Sequence, residues 1–133
     1  MPTLQLQLTP PLPTPRLAAL ARELTALTGR TLGKREQVTA VLVEEIVATR
    51  WFIGGKTPQG PTARLEISIT AGTNTAEEKE AFVTAAYREL QQHLGTLEEA
   101  SYVIVKELTA TDWGYGGRTQ AQRRHSAVPS SAA

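Results

Sequence analysis

Residues 39–55 read TAVLVEEIVATRWFIGG, and residues 101–117 read SYVIVKELTATDWGYGG. Aligned at an offset of 62, eight of the 17 positions are identical: Val41/Val103, Val43/Val105, Glu45/Glu107, Ala48/Ala110, Thr49/Thr111, Trp51/Trp113, Gly54/Gly116 and Gly55/Gly117. Two unrelated amphipathic strands would share alternation. They would not share an Ala-Thr-x-Trp-x-x-Gly-Gly ending, so the chain is read as a tandem duplication.

The two halves also begin alike, at an offset of 61. Leu4, Leu6 and Leu8 alternate with Gln5 and Gln7, as Leu65, Ile67 and Ile69 alternate with Glu66 and Ser68. Period-two alternation reads as a half-buried strand in each case. A helix follows each. Thr14 caps the first in this reading, with Pro15 where a missing N–H costs nothing. Leu17, Leu20, Ala21, Leu24 and Leu27 share one face, and Gly29 interrupts the pattern late. In the second half Thr75 and Glu78 have capping-box spacing, and Phe82, Ala86, Leu90 and Leu94 line one face. Gly33 and Gly95 are expected to end the helices in the left-handed conformation.

Each half is therefore strand, helix, strand and a short Gly-Gly turn, over residues 2–55 and 63–117, with residues 56–62 as linker. Together they predict one domain over residues 1–118, an α/β (α+β) fold: a four-stranded sheet with both helices on one face. The other face, carrying Val41, Val43, Val103 and Val105 or their neighbours, needs a cover, and self-association is the simplest one. Residues 119–133 have basic groups, no acid and no hydrophobic period, and read as a flexible solvated tail.

Composition excludes several functions. With 133 residues, 41% of them hydrophobic, the chain can bury a modest core. Lys plus Arg number 14 against 13 for Asp plus Glu, so no global field favours nucleic acid or a membrane surface as partner. There is no cysteine, hence no disulfide, thiolate metal site or cysteine nucleophile. No signal segment or long apolar run is present, and a cytoplasmic location is the expectation. The two histidines, His93 and His125, have no metal-ligand spacing and complete no Ser-His-Asp set. Glu45 and Glu107, being repeat mates, read as a structural pair rather than an acid and a base.

Pro2 is the group with chemistry to offer. Removal of the initiator methionine from before a small residue would expose a secondary amine at the start of a strand. An α-amine titrates near ~7.7–8.0, and an apolar site disfavours its ammonium form. A neutral amine at cellular pH can take a proton from a carbon α to a carbonyl and return it elsewhere.

Pro2, the strand-helix-strand repeat and the Trp-x-x-Gly-Gly endings resemble the tautomerase superfamily. Each half is similar to the short subunit of 4-oxalocrotonate tautomerase, whose second strand ends in Phe-Gly-Ile-Gly-Gly, comparable to residues 51–55 and 113–117. The tandem arrangement resembles fused tautomerases and the cis-3-chloroacrylic acid dehalogenase group. The resemblance covers residues 2–118 and implies a homotrimer, no cofactor, and Pro2 as general base acting on a 2-oxo acid or related small carbonyl substrate.

Not all of the pattern carries over. The arginine before the helix falls at Pro13 and Asn74, and the one early in the second strand at Ala40 and Tyr102. The dehalogenase group's arginines align near Ala71 and Asn74, its acidic residue near Tyr115 and its histidine near Thr28, so no group is evident to activate water. By the resemblance Trp113 is an apolar wall, with Trp51 its mate. Tyr115 and Tyr102 are candidates to donate to an enolate oxygen, Asn74 stands where a binding arginine would, and Arg118 and Arg64 are candidates to hold a carboxylate. Ala63 takes the place of Pro2 in the second half, giving one site per chain. The alternative is a non-enzymatic oligomeric module for a small ligand or protein, which kept the fold and lost the arginines.

Overall fold

The computed structural model describes residues 1–126. The first half forms β1 (Thr3–Thr9), α1 (Thr14–Leu32) and β2 (Ala40–Glu45); the second forms β3 (Thr62–Thr70), α2 (Ala76–Leu94) and β4 (Tyr102–Leu108). These make a mixed sheet in the order β2-β1-β3-β4. Within each half the two strands are parallel, as a helical crossover requires, and β1 meets β3 antiparallel at the centre. The expected four-stranded, two-helix α+β architecture is the one formed.

Alternation decides which side chains meet the helices. Leu4, Leu6 and Leu8 on β1 and Leu65, Ile67 and Ile69 on β3 are fully buried against Leu20, Leu24 and Leu27 of α1 and Phe82, Ala86 and Leu90 of α2. The register Leu4↔Val41, Leu6↔Val43, Leu65↔Val103 and Ile67↔Val105 puts all four valines on this same covered face. Their neighbours occupy the other face. It is mostly polar, with Gln5, Gln7, Arg64 and Glu66, and carries Ala40, Leu42, Tyr102, Ile104 and Leu108 as its apolar members.

Repeat identity extends to the backbone. Gly54 and Gly55 have φ of 59° and 78°, and Gly116 and Gly117 have 60° and 79°. Two consecutive positive-φ residues are what a two-residue hairpin turn matching strand twist demands, which is why both halves end in Gly-Gly. The first turn closes the bridge Ile53↔Lys56, and the second joins β5 (Gly114–Tyr115) to β6 (Arg118–Thr119). Glu45 accepts the N–H of Leu12 at 2.9 Å, and Glu107 that of Gly72 at 3.4 Å. Each carboxylate ties down the loop that follows its neighbouring strand.

Three expectations change. Thr14 is not the cap of α1: Pro13 holds that position, and no side chain caps the helix. With prolines at 13 and 15, fewer N–H groups need a partner there. Gly33 does end α1 in the left-handed conformation (φ 68°, ψ 25°), whereas Gly95 has positive φ but extended ψ (96°, −169°) and starts a different loop. The chain beyond residue 118 does not begin as a tail, since Thr119 belongs to β6 and a further helix, α3, spans Gln120–Ser126. Main-chain bonds from Gln120 to Trp113 O and from Ala121 to Ala110 O, both 2.9 Å, hold its start against the second-half hairpin. The rest of the expected tail lies outside the described residues.

Candidate functional site

Strand directions gather most of the candidate residues at one end of the sheet. β1 and β2 start there, at Thr3 and Ala40, and β3 and β4 finish there, at Thr70 and Leu108. Pro2 is buried at this end, its carbonyl accepting the N–H of Ala40 at 3.2 Å. The end of α1 and the start of α2 lie beside it. Asn74 joins them, donating through Nδ2 to Leu32 O at 2.9 Å and to Glu78 Oε1 at 3.2 Å. The β5–β6 hairpin, with Trp113, Tyr115 and Arg118, continues from β4 at the same end.

Arg64 and Tyr102 stand elsewhere in the chain. Arg64 pairs with Gln7, four residues along β1 from Thr3, or about 13 Å at the usual rise of ~3.3 Å per residue. It is opposite Tyr102 and forms an ion pair with Glu66 at 3.1 Å. Tyr102 is 60% exposed on the edge strand. Within one protomer neither shares the Pro2 end.

The residue that sequence reading passed over is Lys34. It follows the left-handed Gly33, and that turn sends it back across the end of the sheet. Only 3% of it is exposed, and its Nζ donates to Thr73 Oγ1 at 2.9 Å. The Thr73 hydroxyl in turn donates to Thr70 O at 2.6 Å. Thr70 lies two residues past Ser68, as Met1 lies two before its partner Thr3, and its buried hydroxyl has no partner among the described residues. Burial holds the Lys34 ammonium below its usual 10.5; the charge of Glu78 works against that and the charge of Arg124 adds to it.

The amino terminus feels the same surroundings. Burial, and after it the positive charges of Lys34, Arg35 and Arg124, push the Met1 amine from 8.0 down to about 5. A neutral amine thus sits among three cations. Such a site can accept a proton and stabilise a negative charge developing on the group that gave it up.

The hairpin residues are tied to α3. The Arg123 guanidinium lies 3.7 Å from the Tyr115 ring centre and donates to Tyr115 O at 2.9 Å. The Trp113 indole nitrogen is buried without a partner among the described residues. Arg118 donates to Gln122 O at 3.4 Å. No group of His, Asp and Glu suited to a metal occurs among the described residues.

No family model and no curated protein matches the chain. Solved structures do. It is similar to a native fused 4-OT (28% identity, TM-score 0.79, covering 90% of this chain and 97% of that one). It is also similar to an F6 fused 4-OT, described as a wild-type asymmetric trimer (25% identity, TM-score 0.81, 90% and 97%). A third likeness is to Pt0534 inactivated by 2-oxo-3-pentynoate (16% identity, TM-score 0.82, 90% and 97%), and it bears on the fold alone. The chain has the tautomerase-superfamily fold in its fused, two-repeat form, where 4-OT stands for 4-oxalocrotonate tautomerase.

Proposed function

We propose that the chain is a tautomerase in which Pro2, exposed by removal of Met1, is the general base for a 2-oxo acid or related enolisable carbonyl compound. One observation carries this reading: the amino terminus is held at a buried strand end, where its ammonium form is disfavoured down to about 5. Removing Met1 would place the amine on Pro2, which is itself buried, so that burial would disfavour its ammonium form in the same way.

The Pro2 nitrogen takes the proton from the carbon α to the carbonyl, and the C–H electron pair moves through to the carbonyl oxygen. Lys34, fixed by Thr73, supplies positive charge to the enolate so formed. The prolinium then returns the proton, to oxygen or to a carbon conjugated with it, and the amine is regenerated. Lys34 offers here what the two missing arginines would have supplied. No step requires an activated water.

Trp113, Tyr115 and Asn74 share this end of the sheet and are proposed as walls and hydrogen-bonding groups. Arg64 and Tyr102 can contribute only from another subunit, and a homotrimer would supply one; the F6 fused 4-OT is described as an asymmetric trimer. The test is ketonisation of phenylenolpyruvate by protein whose intact mass lacks Met1. Pro2→Ala is expected to lose tenfold or more in kcat, since positioned proton transfer contributes ~10²–10⁴-fold and a primary amine keeps part of it. Unchanged turnover in Pro2→Ala would place the chemistry elsewhere.

A further inference from the structure

We propose that Thr70 is a positioning residue for the Pro2 amine: its hydroxyl accepts the amine N–H and so turns the nitrogen lone pair toward the substrate. The proposal rests on the tautomerase reading above.

Register brings the two together. β1 and β3 run antiparallel with Thr3 opposite Ser68, so the next residues outward are Pro2 opposite Ile69 and Met1 opposite Thr70. The repeat places them alike from the other end of the sheet. At the offset of 61 Thr9 is the mate of Thr70 and Thr62 the mate of Met1, and Thr9 and Thr62 are paired across β1 and β3. Opposed residues in such a ladder have Cα atoms ~4.5–5.5 Å apart. A hydroxyl at Thr70 is then within hydrogen-bond reach of the nitrogen that follows Met1.

Thr70 is held in place while its side chain stays unpartnered. Its carbonyl accepts the Thr73 hydroxyl at 2.6 Å, and the next N–H, of Ala71, donates to Leu108 O at 2.8 Å. The residue is fully buried, yet its own hydroxyl oxygen has no partner among the described residues. Such a group is costly to bury and calls for a partner. While Met1 is attached, the Pro2 nitrogen is a tertiary amide with no N–H to give. Excision of Met1 creates that donor.

The proline ring decides where the donor points. In the second half the Ala63 N–H, at the place of Pro2, donates sideways to Ser101 Oγ at 3.1 Å, just before β4. In Pro2 the ring carbon Cδ takes the direction of that N–H. Thr39, the mate of Ser101, donates instead to Arg35 O at 2.7 Å. The free amine is left with one N–H and one lone pair, and both point to the place that Met1 leaves, level with Thr70. Once the N–H is held by the hydroxyl, the lone pair is turned to the substrate.

Titration of the amine tests this contact. A hydrogen bond to the hydroxyl favours prolinium over the neutral amine, so its loss should lower the amine pKa. Loosened packing would do the opposite, by letting water reach the ammonium. The charges acting on the amino terminus are Lys34 and Arg35, from the loop after α1, and Arg124 of α3, with Glu78 of α2 acting on Lys34. Thr70→Val alters none of them. The full chain, shown by intact mass to lack Met1 and carrying isotope-labelled proline nitrogen, would be titrated by NMR; the other prolines are amides and stay silent. The expected result is that Thr70→Val lowers the Pro2 pKa by about one pH unit, the margin of a charged over a neutral hydrogen bond, and cuts kcat for phenylenolpyruvate about tenfold. Thr70→Ser should restore both. A Pro2 pKa that is unchanged or raised in Thr70→Val would overturn the proposal. So would a Thr70→Ser that titrates like Thr70→Val. The expected titrations in a protein that turns over no phenylenolpyruvate would uphold Thr70 as the partner of the amine and count against the tautomerase reading.

Discussion

Lys34 and Thr96 hold the same place in the two halves, each one residue after a matched glycine. Their neighbours differ too, Arg35 in one half and the buried Leu97 in the other. Pro2 and Ala63 differ likewise, and the Ala63 nitrogen is an ordinary amide that donates to Ser101 Oγ at 3.1 Å. The duplication therefore diverges at the amine and at the cations around it together. Lys34→Met removes one of the charges opposing protonation of the amine, so the amine pKa should rise. Burial is the larger cause and stays, so the value should remain below the ordinary 8.0. The acid limb of the kcat/KM profile for phenylenolpyruvate should move to higher pH, with kcat reduced about tenfold or more. A limb that does not move would detach Lys34 from the amine. Pro2 could be singled out in the sequence as the proposed base because the repeat gave it a context. Lys34 was not, because a loop lysine lies on no hydrophobic period and its burial depends on where Gly33 turns the chain. The mismatch of Lys34 with Thr96 was the available signal.

At the scale of elements, the helices differ in how they begin. In α2 the Thr75 N–H donates to Glu78 Oε1 at 2.8 Å and the Glu78 N–H to Thr75 Oγ1 at 3.1 Å, while α1 has no side-chain cap. Thr75→Ala should cost ~0.5–2 kcal/mol in urea unfolding, and Thr14→Ala, at an exposed position, no more than ~0.5. The Glu78 carboxyl is lowered from 4.5, first by the Thr75 N–H and then by the Asn74 amide. A carboxyl depressed on folding stabilises above its unfolded value, and that stability is lost as pH falls through the folded one. Glu78→Gln should flatten this part of the acid-side loss; an unchanged acid limb of stability would contradict the box. Strands, helices and box could all be read because alternation, helical period and Thr-x-x-Glu spacing are local. α3 could not. Residues 119–126 have no apolar stripe, and the helix is held by main-chain bonds to the hairpin and by Arg123 on Tyr115.

For the molecule as a whole, the open sheet face sets the expectation. It is more polar than the valine pattern suggested, yet Leu42 is 54% exposed and Tyr102 60%. Near the first-half hairpin, Val47 and Phe52 are exposed as well, at 67% and 62%. Sedimentation equilibrium should give three chain masses, with these surfaces covered; a monomer at micromolar concentration would contradict the assembly and any contribution of Arg64 or Tyr102 from a neighbour. The proposed chemistry needs less than the assembly: one secondary amine per chain, on Pro2, that is neutral and reactive. 2-Oxo-3-pentynoate tests it directly, since a neutral amine can add to the alkyne carbon β to the ketone, converting the triple bond to a double bond as the proton passes to the adjacent carbon. Peptide mapping by mass spectrometry should then find a single added pentynoate per chain, on an N-terminal peptide that begins at Pro2. Label on a lysine in place of Pro2, or a chain that keeps Met1 and takes up none, would contradict it.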